Sequence, residues 1–134
     1  MSPRRRLTRY HTSLHGVAQP SRIAVIGTGM MGPGIAAGLT LAGHQVTLVG
    51  RSAASLQRGL QAAETAMETL CREGLATRER STSAQGTTHL AAAIDGAEFV
   101  FESIVEDLAA KQQLFQELEQ RLRTTPGVLT VQIK

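Results

Sequence analysis

Ser21-Arg22-Ile23-Ala24-Val25-Ile26-Gly27-Thr28-Gly29-Met30-Met31-Gly32-Pro33-Gly34 is the stretch on which the fold of this chain turns. Ile23 to Ile26 is an unbroken apolar run, the pattern of a short strand buried on both faces of a parallel sheet, and it predicts a strand over Ser21 to Ile26. Ile35, Leu39 and Ala42 then recur at helical spacing, so a helix is expected from Gly34 to Ala42, ended by Gly43. Pro33 suits the start of that helix, where no N–H is needed. Between strand and helix, Gly27-Thr28-Gly29-Met30-Met31-Gly32 has the form G-x-G-x-x-G. In such a loop Gly27 permits the tight turn, Gly29 lets the backbone approach a pyrophosphate, and Gly32 lets the helix pack closely on the sheet. The positive end of the helix and its unpaired N–H groups then face the phosphates. Six residues alone are a weak signal, but the strand before and the helix after point to a dinucleotide loop rather than a ligandless glycine turn.

Working outward, Gln45 to Val49 reads as a second strand, with Val46 and Leu48 alternating against Gln45 and Thr47. Strand, helix and strand within about thirty residues form a right-handed βαβ unit. Ser52 is a natural N-cap for a long helix whose Leu56, Leu60, Ala63, Met67 and Leu70 share one face, with Gly74 ending it. A short strand is expected near Ser83 to Thr87, a brief helix over Leu90 to Ile94 stopped by Asp95-Gly96, and a strand over Phe99 to Ile104. Asp107 then caps a helix with Leu108, Phe115, Leu118 and Leu122 on one face. Thr124 to Gly127 turn the chain into a last strand over Val128 to Ile133. This alternation predicts an α/β fold, a Rossmann-type doubly wound and mainly parallel sheet in residues 21–134, incomplete at its C-terminal end.

The chain has 134 residues, which suits one such domain. Its formal charge of +3 is misleading. Arg4, Arg5, Arg6 and Arg9 give residues 1–19 a charge of +4 with no acid, which leaves the rest of the chain at −1. A body near neutrality offers no phosphate-tracking surface, so nucleic acid is excluded as a partner. Residues 1–20 are set aside as a disordered basic tail. Their Arg-, Ser- and Thr-rich composition is also that of a mitochondrial presequence, or of an upstream start codon read by mistake. The expected location is cytoplasmic, or mitochondrial if the tail is a presequence. No apolar run approaches the ~18 residues of a membrane span. The lone Cys71 excludes an internal disulfide, fits a reducing compartment, and is expected to be a buried structural thiol. No metal site is assigned.

A dinucleotide loop of this kind normally has an Asp or Glu about 20 residues on, bonded to the adenosine ribose. Here Gly50-Arg51-Ser52 stands at the end of the second strand, and no carboxylate occurs between Gly43 and Glu64. Guanidinium pairs bidentately with phosphate oxygens, so Arg51 and the Ser52 hydroxyl suit a 2′-phosphate and favour NADP over strict use of NAD. Alternatively, Arg51 stacks beside the adenine and Ser52 is only a helix cap. On the first reading, Gly50→Asp with Arg51→Ala is expected to reverse the preference.

The second half narrows the choice among dehydrogenases. Ala97-Glu98-Phe99-Val100-Phe101-Glu102-Ser103-Ile104-Val105-Glu106-Asp107-Leu108, then Lys111, then Leu114-Phe115-Gln116-Glu117-Leu118, resembles the 3-hydroxyacyl-CoA dehydrogenases. The loop from Gly27 to Ala36 and the residues Gly86-Thr87-Thr88 and Leu90-Ala91-Ala92 are similar to that family as well, and the likeness runs from about Ile23 to Thr130. The resemblance implies an enzyme that oxidises a 3-hydroxyacyl thioester to the 3-ketoacyl form with a nicotinamide dinucleotide, NAD or NADP. It implies that Gly27 to Gly32 cradle the pyrophosphate and that Glu106 and Lys111 lie near the nicotinamide ribose. Read alone, Glu106 is an acid in a helix's first turn and Lys111 a solvated helix lysine. The family's ribose-binding Asp falls at Gly50.

In that family the strand beginning at Val128 leads into an Asn-Thr-Ser motif, a catalytic His with its Glu partner, and a helical domain that completes the acyl pocket. This sequence departs at Val131-Gln132-Ile133-Lys134. His44 and His89 are the only histidines of the body, and neither is placed as a general base, so no catalytic residue is assigned. The expectation is the cofactor-binding part of a truncated or frame-shifted dehydrogenase, inactive alone, with acyl-CoA a substrate only of a complete enzyme. The alternatives are a non-catalytic dinucleotide-binding module, and a fragment of a 3-hydroxyisobutyrate or 6-phosphogluconate type dehydrogenase. The oligomeric state stays open.

Overall fold

A computed structural model describes residues 20–78, 83–103, 108–124 and 129–132. In chain order the elements are β1 (Arg22–Ile26), α1 (Gly32–Leu41), β2 (Gln45–Val49), α2 (Ala53–Arg72), β3 (Gln85–Thr87), α3 (Leu90–Ile94), β4 (Phe99–Glu102), α4 (Leu108–Thr124) and β5 (Leu129–Gln132). The five strands form one sheet in the order β3-β2-β1-β4-β5, and every neighbouring pair is parallel. The chain moves outward from β1 to β3, then returns to start again at β4. The strand order therefore reverses between β1 and β4, and the crevice at their carboxyl ends is the ligand position of a doubly wound sheet.

Alternation along the strands builds two cores. Ile23 and Val25 join Val46, Leu48 and Ala36 on one face, with Leu56 and Leu60 of α2 packed against them. Ala24 and Ile26 join Val49, Val100, Ile94 and Leu118 on the other. Two-residue periodicity sends neighbouring residues of β1 to opposite layers, which is why its whole run is apolar.

Local chemistry sets the helix ends. Gly43 and Gly74 have φ of 97° and 74°, and each begins a Schellman turn. The N–H groups of Gly43 and His44 donate to the carbonyls of Thr40 (3.0 Å) and Leu39 (3.2 Å), and those of Gly74 and Leu75 to Cys71 (3.1 Å) and Leu70 (2.9 Å). At the start of α2 the Ser52 hydroxyl accepts from the Ser55 N–H while the Ser55 hydroxyl accepts from the Ser52 N–H, a capping box built from two serines.

Some expectations shift. α1 begins at Gly32, two residues early, because Pro33 is itself part of the first turn. Cys71 is half-buried instead of fully buried, because it lies with half-buried Leu70 on the last turn of α2, beyond buried Met67. The expected positions in the basic tail (1–19), Ile104, Asp107, Pro126, Gly127, Val128 and Ile133 lie outside the described residues, as do the side chains of Leu108 and Leu122. Among the described residues no helix is long and apolar enough to cross a membrane, and no cluster of His, Cys, Asp and Glu could hold a metal ion.

Candidate functional site

Three backbone hydrogen bonds bring the carboxyl ends of the strands to one rim. The Gly27 N–H donates to the Val49 carbonyl at 3.0 Å, the Ser103 N–H to Ile26 at 2.9 Å, and the Gly50 N–H to Thr87 at 3.1 Å. At Gly27 the chain leaves β1 with φ of 115°, a turn that side-chain-bearing residues rarely make. The loop then folds back so tightly that a Cβ on buried Gly32 would overlap the Gly27 carbonyl oxygen. Gly27, Thr28 and Gly29 line a cavity of about 500 Å³, whose other walls include Gly50, Arg51, Thr88, Leu90, Ser103 and Glu117.

Five of the residues read from the sequence as cofactor ligands, Gly27, Thr28, Gly29, Gly50 and Arg51, meet on this wall. Gly32 lies beneath the loop. Met30 and Met31 stand outside the cavity wall, 99% and 53% exposed, so two of the motif's three variable positions are spacers on the solvent side. Ser52 is exposed and committed to capping α2. Glu106 lies outside the described residues, and Lys111 is on α4 with its side chain outside them.

Sequence reasoning missed Thr88, Leu90, Ser103, Gln113, Leu114 and Glu117. Thr88 and Ser103 follow β3 and β4 directly, and the rule that ligands sit at strand carboxyl ends could have found them. Gln113 and Glu117, one helical turn apart on α4, join the wall only through the tertiary position of that helix. Beside this rim Glu102 is buried at 1% exposure, its backbone in register between Ile26 and Gln132.

Neither His44 nor His89 lines this cavity. Nδ1 of half-buried His44 accepts from the Ser21 N–H at 3.1 Å, which ties the starts of β1 and β2 together at the opposite end of the sheet. The surface position expected for it is therefore a structural one. Exposed His89 is the N-cap of α3, between Thr88 and Leu90 of the cavity wall, and itself lines an adjoining cavity of about 440 Å³ that shares Thr88, Leu90 and Glu117. A larger cavity, about 690 Å³, is lined by Arg22, Gln45, Gln85 and Asp95 at the amino ends of the strands. Size does not decide between this cavity and the one beside the glycine loop. Ligands of doubly wound sheets bind at the carboxyl ends, where the strand order reverses, and of these two only the one beside the loop is there.

A loop that turns at Gly27 with positive φ and closes on itself at Gly32, next to a cavity of ligand size, fits a dinucleotide pyrophosphate. Comparison with known proteins agrees. The family described as 3-hydroxyacyl-CoA dehydrogenase, NAD binding domain, matches residues 22–130. The chain is 32% identical over 103 residues to a peroxisomal fatty acid beta-oxidation multifunctional protein of Arabidopsis thaliana, covering 73% of this chain and 14% of that protein. It is 28% identical over 106 residues to mitochondrial hydroxyacyl-coenzyme A dehydrogenase of Rattus norvegicus, covering 72% and 34%. Among solved structures, FadB2 of M. tuberculosis superposes with a TM-score of 0.75 at 29% identity, covering 87% of this chain and 42% of that one. The chain thus spans well under half the length of these relatives. The matched region takes in the glycine loop, the first four strands, the start of β5 and the whole cavity wall, and by it the chain belongs to the 3-hydroxyacyl-CoA dehydrogenase family, as an NAD-binding domain of that family.

Proposed function

We propose that this chain holds a nicotinamide dinucleotide across the crevice between β1 and β4, as the cofactor-binding part of an oxidoreductase that interconverts 3-hydroxyacyl and 3-ketoacyl thioesters. The observation that carries the proposal is the glycine loop closed on itself at Gly27 and Gly32 beside the 500 Å³ cavity. The N–H groups at the start of α1 and the backbone of Gly27 to Gly29 hold the pyrophosphate. Gly50, Arg51 and Ser52 lie at the adenosine end, and Glu106 and Lys111 serve the nicotinamide end. The 2′-phosphorylated cofactor is accepted at Arg51. When bound, the nicotinamide supplies the hydride acceptor for oxidation of the carbinol carbon.

That oxidation also requires a base for the hydroxyl proton. His44 is at the opposite end of the sheet, and His89, exposed at the start of α3, borders the cavity without lining it, so neither is placed as that base and this chain binds cofactor without turning over substrate. The acyl-CoA is a ligand of the complete enzyme. The unpaired Cys71 supports a reducing compartment such as the cytoplasm. Titration calorimetry with NAD and NADP, beside an absorbance assay with 3-hydroxybutyryl-CoA, tests both halves. Binding without turnover is expected; absence of binding overturns the cofactor assignment, and turnover by the chain alone overturns the division of labour.

A further inference from the structure

The end of β2 is closed to side chains. A Cβ on buried Gly50 would lie 2.9 Å from Cβ and 3.0 Å from Cα of Leu56, in the first turns of α2. The same leucine covers β3, where a Cβ on Gly86 would lie 2.8 Å from Leu56 Cδ1. Helix α2 is therefore seated directly on the backbone of both strands. The acid that would bond a ribose 2′-hydroxyl and repel a 2′-phosphate belongs at Gly50, and the packing leaves no room for it there.

Two side chains occupy the rim instead. Arg51 is exposed and lines the cavity, and among the described residues no carboxylate is paired with it. Thr88 stands on the same wall, one step beyond the register pair Val49–Thr87 and so beside Gly50. A guanidinium and a hydroxyl at the ribose end of a dinucleotide cavity, with the repulsive carboxylate excluded, match a phosphate monoester on the 2′-oxygen. The Ser52 hydroxyl is engaged with Ser55 and leaves this task to Arg51 and Thr88.

Resting on the dinucleotide reading above, we infer that Arg51 and Thr88 form a 2′-phosphate subsite that selects NADP over NAD, and that the seat of Leu56 on Gly50 enforces the selection. The test is titration calorimetry of the full chain with NADP and NAD separately, for the parent, Arg51→Ala and Thr88→Ala. Both substituted residues are exposed, so the fold is expected to persist, and circular dichroism of each variant checks this. In the parent NADP is expected to bind ~10-fold tighter, the equivalent of about 1.4 kcal/mol. Arg51→Ala should bring the two constants to parity by weakening NADP alone. Thr88→Ala should weaken NADP by a smaller factor and leave NAD unchanged. NAD binding as tightly as NADP, or a preference that survives Arg51→Ala, overturns the subsite while the dinucleotide reading stands. Failure of both cofactors to bind overturns the reading and the subsite together.

Discussion

Gly59 of α2 meets Thr28 of the glycine loop so closely that a Cβ on the glycine would lie 2.9 Å from both Cβ and Cγ2 of the threonine. The same position would put it 3.0 Å from Leu48 Cδ2, so the helix is held against both the loop and the sheet. No motif marks this glycine, yet it sets the distance from α2 to the cofactor loop.

Gly59→Ala separates two effects of opposite sign. Helix propensity alone would stabilise the protein by roughly 0.5–1 kcal/mol, while overpacking of this kind costs about 1–3 kcal/mol. A net loss of about 1 kcal/mol is expected in urea denaturation, with cofactor affinity down several-fold as Thr28 is displaced. A higher denaturation midpoint would mean that the loop yields freely and does not depend on the helix.

Gly29→Val and Gly32→Ala should separate binding from folding. Gly29 is exposed and lines the cavity, so valine there should leave the denaturation midpoint nearly unchanged and weaken dinucleotide binding at least ~10-fold, about 1.4 kcal/mol. Alanine at Gly32 meets the Gly27 carbonyl and should lower both stability and affinity. Equal binding by Gly29→Val and parent would remove the loop from the site.

Gly50→Asp with Arg51→Ala, read from the sequence as an exchange that turns the site toward NAD, meets the backbone of Leu56. That contact sets a different expectation. Gly50→Asp should cost about 1–3 kcal/mol by displacing α2, without tightening NAD. Stability and the NAD dissociation constant, measured together, check it; a stable variant with improved NAD binding would refute the steric argument.

Arg78 pairs with Glu64 at 2.7 Å, and its hydrogen bond holds the Glu64 carboxyl below its ordinary 4.5. A depressed carboxylate contributes stability that is present above 4.5 and lost as the pH falls through the folded-state value. Both side chains are 39% exposed, so solvent screens the pair and the effect is small. Glu64→Gln should lower the melting temperature slightly at pH 7 and not at all at strongly acid pH; a difference that persists in acid would assign the effect to packing.

The alternation of strands and helices, the C-terminal ends of α1 and α2, and the glycine loop were all legible in the residues. Each rests on interactions within a few positions: the apolar run Ile23–Ile26, the 3–4 spacing from Leu56 to Leu70, and the left-handed turns at Gly43 and Gly74. Convergence was not legible. Thr88 and Ser103 share a wall with Gly27 because the sheet runs β3-β2-β1-β4-β5, and Glu117 because α4 packs over it; the strand ends mark the first two as rim residues, but nothing local to Glu117 encodes its place. Gly50, Gly59 and Gly86 look alike in sequence to any loop or helix glycine; only the seating of α2 makes each one a point of backbone contact. Local periodicity and turn chemistry determined the elements and the cofactor loop. The tertiary structure decided the rest, because a site is made where distant segments meet, and the closeness of their approach depends on which positions carry no side chain.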